Sequence, residues 1–117
     1  MAPETVPKPP EGLSARAAKL WTDVLTEFEG AAVEQALLHE GLVALDRASQ
    51  AAAVVESEGV TVTDRYGSPK GHPACDIEAR NRTLFASIMR QLGVRLVDDT
   101  GTRTGPRQKV APMRKVG

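Results

Sequence analysis

With 117 residues and no net charge, the chain fits one small domain near the lower limit of what a single apolar core stabilises, so help from partner subunits is expected. Aromatic bulk comes only from Trp21, Phe28, Tyr66 and Phe85, while Ala, Leu and Val make up most of the apolar set, which favours close-packed helices and disfavours a sandwich or barrel. One cysteine, Cys75, excludes an internal disulfide, and without a leader-like or spanning apolar run a soluble protein of a reducing cytoplasm is expected.

Residues 1–12 hold Pro3, Pro7, Pro9, Pro10 and Gly12. That proline density forbids a helix and predicts a flexible, extended arm. Ser14 then has the chemistry of an N-cap, and Ala17, Leu20, Trp21, Val24, Leu25 and Phe28 recur at helical spacing until Gly30. At such a position Trp21 is expected to anchor the core rather than to stack on a base.

A second helix is predicted from about Ala31 to Ser57, long enough to be the spine of the domain. Projected at about 100° per residue, Leu37, Leu38, Gly41, Leu45, Ala48, Ala52 and Val55 share one arc, the expected core face. Ala36, Val43 and Val54 gather on another side, beside Arg47 and Gln50. Two readings stand for that thinner stripe: a contact between subunits, or scattered surface residues of no consequence. Gly41 weakens the helix by roughly 1 kcal/mol relative to Ala, which predicts the close approach of another backbone.

After Gly59 the period changes. Val60-Thr61-Val62-Thr63 alternates as a strand does, Asp64 to Gly67 is turn chemistry, and Ser68-Pro69-Lys70-Gly71 allows a short return limb. His72 at a cap and Pro73 at the first helical position open a third helix, with Asp76 and Glu78 placed to favour its dipole. Its buried stripe is predicted as Ile77, Leu84, Phe85, Ile88 and Leu92, with Asn81 among them and with Arg82 and Arg90 pointing away. Gly93 followed by Val94 is the stop. The organisation expected is therefore a mainly α fold: an arm over 1–12, a helical core and oligomerisation domain over 13–97 with a small β-hairpin between its second and third helices, and a basic disordered tail over 98–117.

Charge is segregated although it sums to zero. From Leu20 to Asp64, nine acids (Asp23, Glu27, Glu29, Glu34, Glu40, Asp46, Glu56, Glu58, Asp64) face one base, Arg47; from Arg65 onward, eleven bases face four acids, Asp76, Glu78, Asp98 and Asp99. Such asymmetry places a polyanion on the basic half or lets unlike halves of neighbouring copies attract, and ordinary solvated faces would carry the same residues. The stretch from Thr100 to Gly117 has five bases and no acid. Its Arg103, Arg107, Lys109, Arg114 and Lys115 are the first candidates for contact with DNA phosphates, through salt-dependent counterion release; a solubilising tail or a peptide that docks on an acidic protein are the other readings. Arg80, Arg82 and Arg90 form a second candidate patch, on a helix.

Catalytic chemistry has little to stand on. Gly67-Ser68-Pro69-Lys70-Gly71 lacks the spacing of a Walker loop and the Ser or Thr that follows its Lys, so nucleotide hydrolysis is not expected. His39, His72 and Cys75 lack metal-site spacing, which favours a capping histidine and a buried thiol. The acids of the second helix are solvated carboxylates rather than a convergent pair. A non-enzyme without metal or cofactor is expected.

Pro9-Pro10-Glu11-Gly12-Leu13-Ser14, Leu20-Trp21, the long helix, Gly59 with its short hairpin, His72-Pro73, and Gln91-Leu92-Gly93-Val94 occur in an order that resembles the small terminase subunits of tailed double-stranded DNA phages. The resemblance covers about residues 7 to 96. His72 stands where the family commonly has Asn, and the Pro and Arg that often follow the closing Leu-Gly are missing after Leu96. What the resemblance implies is a non-catalytic, ring-forming DNA-recognition factor in the cytoplasm of a bacterial host, which presents viral DNA to a large terminase subunit that carries the ATPase and nuclease. Its partners would be double-stranded viral DNA, the large subunit and further copies of itself, with Ala36, Val43 and Val54 offered as the subunit contact. A helix-turn-helix regulator is the less favoured alternative, because a hairpin separates the helices; an adaptor that binds an acidic protein through its basic tail is another.

Overall fold

The computed structural model describes residues 6–94 and 113–115. Along the chain run α1 (Ala15–Glu27), β1 (Phe28–Glu29), α2 (Ala32–Glu58), β2 (Thr61–Thr63), β3 (Pro69–Gly71), α3 (Pro73–Leu92) and β4 (Arg114–Lys115). The fold is mainly helical, with the short β-hairpin set between α2 and α3 as expected.

Each helix starts and stops for a local reason. Ser14 caps α1: its Oγ accepts from the Ala17 N–H at 3.1 Å. At the start of α2 the cap residue is Ala31, which has no acceptor in its side chain, so only the return half of a capping box forms, the Ala31 N–H donating to Glu34 Oε1 at 2.6 Å. His72 caps α3 through Nδ1, which accepts from the Ala74 N–H at 3.0 Å, and Pro73 occupies the first turn. Gly93, at φ 82°, ends α3 in the left-handed region. The Gly93 N–H donates to the Arg90 carbonyl and the Val94 N–H to the Met89 carbonyl, a complete Schellman pair that only a residue tolerant of positive φ closes without strain.

α2 and α3 form the main antiparallel pairing, and α1 lies against one end of it. The core joins Ala17, Trp21, Val24, Leu25 and Phe28 to Leu38, Leu42 and Leu45 of α2 and to Ile88, Met89 and Leu92 of α3. Leu38, Leu42 and Leu92 are the largest side chains fully withdrawn from solvent, and burying each contributes roughly 1.5–3 kcal/mol. Between α2 and α3 the contact at Gly41 is tight. A Cβ there would stand 3.0 Å from Ile88 Cγ2 and 3.1 Å from Met89 Cε, so the close approach predicted for this glycine is made by side chains of α3 and not by its backbone.

The buried arcs differ from those predicted, for one reason. The 13 residues of α1 span about 20 Å, whereas the 27 of α2 span about 40 Å, so a third layer exists at one end only. There, two neighbours widen the buried arc of α2 to include Leu42 and Ala44, while Leu37 stays half-buried. Past Ser49, which still meets Arg16 of α1, α2 and α3 face each other without a third helix. The residues fully buried in that arm are small, Ala51 and Ala74, and Ala52 and Val55 are half-buried. In α3 the predicted core residues Ile77 and Leu84 are exposed, 46% and 45%, because nothing covers their flank of the helix, while Met89, outside the predicted stripe, is buried.

The two ends of the chain also depart from expectation where they are described. Over residues 6–12 the arm read as flexible is laid against the core: the Trp21 Nε1–H donates to the Pro7 carbonyl at 2.9 Å, and Val6 packs on the buried cluster. In the stretch read as a disordered tail, Met113 is buried, its N–H donates to the Leu92 carbonyl at 2.9 Å, and Arg114 and Lys115 pair antiparallel with Glu29 and Phe28. Residues 98–112, 116 and 117 of that tail lie outside the described residues.

Candidate nucleic-acid and assembly surfaces

The positions singled out in the sequence fall into three groups. Arg103, Arg107 and Lys109 lie outside the described residues. Arg114 is described: it sits in β4 with Nη2 3.5 Å from Glu29 Oε1 and a side chain 85% exposed, an ion pair that solvent and salt screen almost completely. Lys115 is paired in register with Phe28.

Arg80, Arg82 and Arg90 are all exposed on α3, but helical geometry separates them. At about 100° per residue, Arg80 and Arg82 point about 160° apart, and Arg90 lies about 80° from each. They share a helix and not a face. Arg82 is further engaged by Glu78, Nε to Oε2 at 2.9 Å one turn away.

Of the thinner stripe on α2, Ala36 and Val54 are exposed and Val43 is half-buried. The exposed large apolar residues among those described are Val33, Val54, Val60, Tyr66, Ile77 and Leu84. Val54 and Ile77 belong to the arm beyond α1, Val60 and Tyr66 to the hairpin at its tip, and Leu84 to the flank of α3 level with the start of α1. Ile77 and Leu84 are one heptad apart and so lie on one flank of α3. Sequence periodicity predicts both in the core, since nothing in the local pattern states which flank of α3 is covered by a neighbour.

The β-hairpin at the end of the arm is closely built. Thr61 pairs with Gly71, Val62 with Lys70 and Thr63 with Pro69. Its turn is organised by Asp64, whose Oδ1 accepts from the Tyr66 and Ser68 N–H groups at 2.8 and 2.9 Å, while the Asp64 N–H donates to the Ser68 carbonyl. Gly67, at φ 84°, supplies the left-handed residue such a turn requires. At the crest the Arg65 guanidinium lies 5.5 Å from the centre of the Tyr66 ring. At the base the His72 N–H donates to the Val60 carbonyl. Because His72 Nδ1 accepts from Ala74, its Nε2 carries the proton and donates to Glu58 Oε1 at 2.7 Å, joining the end of α2 to the start of α3.

His72 is thus occupied as a cap, and the described residues contain no cluster of three or more His, Cys, Asp or Glu side chains arranged to hold a metal. No helix among them is long and apolar enough to cross a membrane. Two features escaped the sequence reading: the docking of Met113, for which the apolar Val110, Ala111 and Met113 within a basic stretch were the available signal, and the outward display of Arg65 and Tyr66. The chain matches no family model, no curated protein and no solved structure.

Proposed function

We propose that this chain is a non-catalytic DNA-recognition subunit of the small-terminase kind, which assembles with copies of itself in the cytoplasm of a bacterial host, binds double-stranded viral DNA and presents it to a large terminase subunit. One observation carries the proposal: the α2–α3 pair, whose buried residues beyond α1 are the alanines Ala51 and Ala74, displays Val54, Ile77 and Leu84 to solvent. A helical pair of that kind is poorly stabilised alone and gains most by laying its apolar flank on another subunit.

Segregated charge favours the same reading. Acids dominate up to Asp64 and bases beyond it, so a head-to-tail contact joins unlike surfaces, and such heterologous contacts close into rings when the rotation permits. Several copies together would also gather phosphate contacts too weak to hold DNA singly. The test is native mass spectrometry of the full chain with DNA retention measured across a salt series. A closed multimer that holds duplex DNA at low salt and releases it as salt rises is expected. A monomer indifferent to DNA at low salt refutes the reading.

A further inference from the structure

We propose that the β2–β3 hairpin is itself a nucleic-acid contact, a ribbon that presents Arg65 and Tyr66 to a duplex groove while Thr61, Thr63, Ser68 and Lys70 meet the flanking phosphates. This rests on the DNA-binding reading above and adds a site to it, independent of the basic tail and of the α3 arginines.

Between Gly59 and Gly71 the only acid is Asp64, and its carboxylate is turned into the loop, holding the Tyr66 and Ser68 N–H groups. What remains outward is donor-rich and cationic. Tyr66 is 82% exposed, although an aromatic ring this large ordinarily gains by packing against its own protein. Its one described ring contact is the Arg65 guanidinium, an arrangement in which each flat group holds the other extended. Ring and guanidinium are the two side-chain types that stack on bases and reach base edges or phosphates.

The support beneath them is rigid. Four hydrogen bonds close the turn, and the His72 bonds to Val60 and Glu58 fix its base to both long helices. Binding therefore costs little ordering of the loop. A two-stranded ribbon fits the major groove; Thr61 and Thr63 are exposed on one face of this one, and Ser68 and Lys70, in register with Val62, on the other, so that tip-first entry turns one face to each wall of the groove.

The experiment measures binding of the full chain to a short fluorescent duplex by anisotropy, from low to physiological salt, beside the R65A/Y66A and R65E/K70E variants. All three substituted positions, Arg65, Tyr66 and Lys70, are solvent-exposed, and helix content and melting temperature check that the fold is kept; R65E/K70E decides if R65A/Y66A does not fold. Expected is an affinity loss of about tenfold or more for either variant, and for R65E/K70E a salt slope lower by about 2. Wild-type binding matched within about twofold by the variants overturns the hairpin site and leaves the wider reading standing. Variants that lose DNA only because they fall to monomers by native mass overturn it too, assigning the hairpin to a subunit contact. No binding by the wild type at low salt removes the site and the reading together.

Discussion

Asp46, midway along α2, accepts two hydrogen bonds from Ser14, the cap of α1: the Ser14 N–H reaches Oδ2 at 2.8 Å and the Ser14 hydroxyl reaches Oδ1 at 2.6 Å. The same hydroxyl oxygen accepts from the Ala17 N–H. One serine therefore ends α1 and fixes where it lies along α2, with the carboxylate also near the positive end of the α1 dipole. Replacing Ser14 by Ala should cost about 1–2 kcal/mol, and Asp46→Ala a similar amount, since it leaves the hydroxyl and the N–H without their acceptor. In a urea double-mutant cycle the two losses should fall well short of additive. Full additivity would mean that Ser14 acts as a cap alone and Asp46 does not position the helix.

Gly41 sets a conflict between propensity and packing. Alanine would favour the helix by roughly 1 kcal/mol, but its Cβ would stand 3.0 Å from Ile88 Cγ2, which belongs to a stiff β-branched side chain, and 3.1 Å from the mobile end of Met89. Met89 can turn away and Ile88 cannot, so α2 and α3 must separate slightly over their tightest contact. Gly41→Ala is expected to lower the melting temperature, and Gly41→Val to lower it further. A rise on Gly41→Ala would show that propensity outweighs the contact.

The helices and their ends were legible in the sequence, because caps and stops are local chemistry. Ser14, His72-Pro73 and Gly93-Val94 act where the residues themselves require, and the turn at Asp64–Gly67 follows from its composition. Which apolar face is covered is not local. Ile77 and Leu84 carry the period of a core stripe, yet both remain exposed: Ile77 lies past the start of α1, and Leu84, level with the Ser14–Asp46 contact, lies on a flank of α3 that no described element covers. Arg80, Arg82 and Arg90 looked like a patch because spacing in the chain was read without the helical rotation that sends the first two to opposite sides. Met113 was hidden because docking of a single side chain leaves no periodicity.

That docking governs how the basic tail is tested. Met113 belongs to the buried cluster and its sulfur lies beside Gly30, where an added Cβ would be 3.3 Å away. Met113→Ala should therefore destabilise the fold by about 2 kcal/mol or more, seen as a lower urea midpoint with little change in DNA affinity at temperatures where the protein stays folded. Truncation before residue 113 removes this contact together with the charges. Neutralising Arg103, Arg107 and Lys109 to Gln keeps Met113 and isolates the electrostatic part, with an expected salt slope shallower by about 3. An unchanged slope would exclude those three residues from phosphate contact.

His72 does two jobs that substitution can separate. Asn at this position keeps a cap acceptor for the Ala74 N–H and loses the bond to Glu58, whereas Ala loses both. Since the Glu58 side chain is 59% exposed, its bond is weakened by solvent, and the cap should carry most of the effect. His72→Asn is expected to leave stability within about 0.5 kcal/mol of the parent and His72→Ala to cost about 1–2 kcal/mol, by urea denaturation. Equal losses in the two variants would move the weight to the Glu58 link.

The exposed flank of α3 offers the most direct separation of assembly from folding. Ile77 and Leu84 leave nearly half of each side chain in solvent, so Ile77→Lys with Leu84→Lys removes little from the monomer's own core but buries two charges in any interface that uses the flank. Native mass spectrometry should show the double variant dissociated under conditions where the parent assembles, with helix content retained by circular dichroism. The parallel variant on α2, Ala36→Lys with Val54→Lys, asks the same of the stripe that holds Val43. If only the α2 variant dissociates, the subunit contact lies on that stripe and the apolar flank of α3 faces another partner. If both dissociate, neighbouring copies join α2 of one subunit to α3 of the next, as a head-to-tail ring requires.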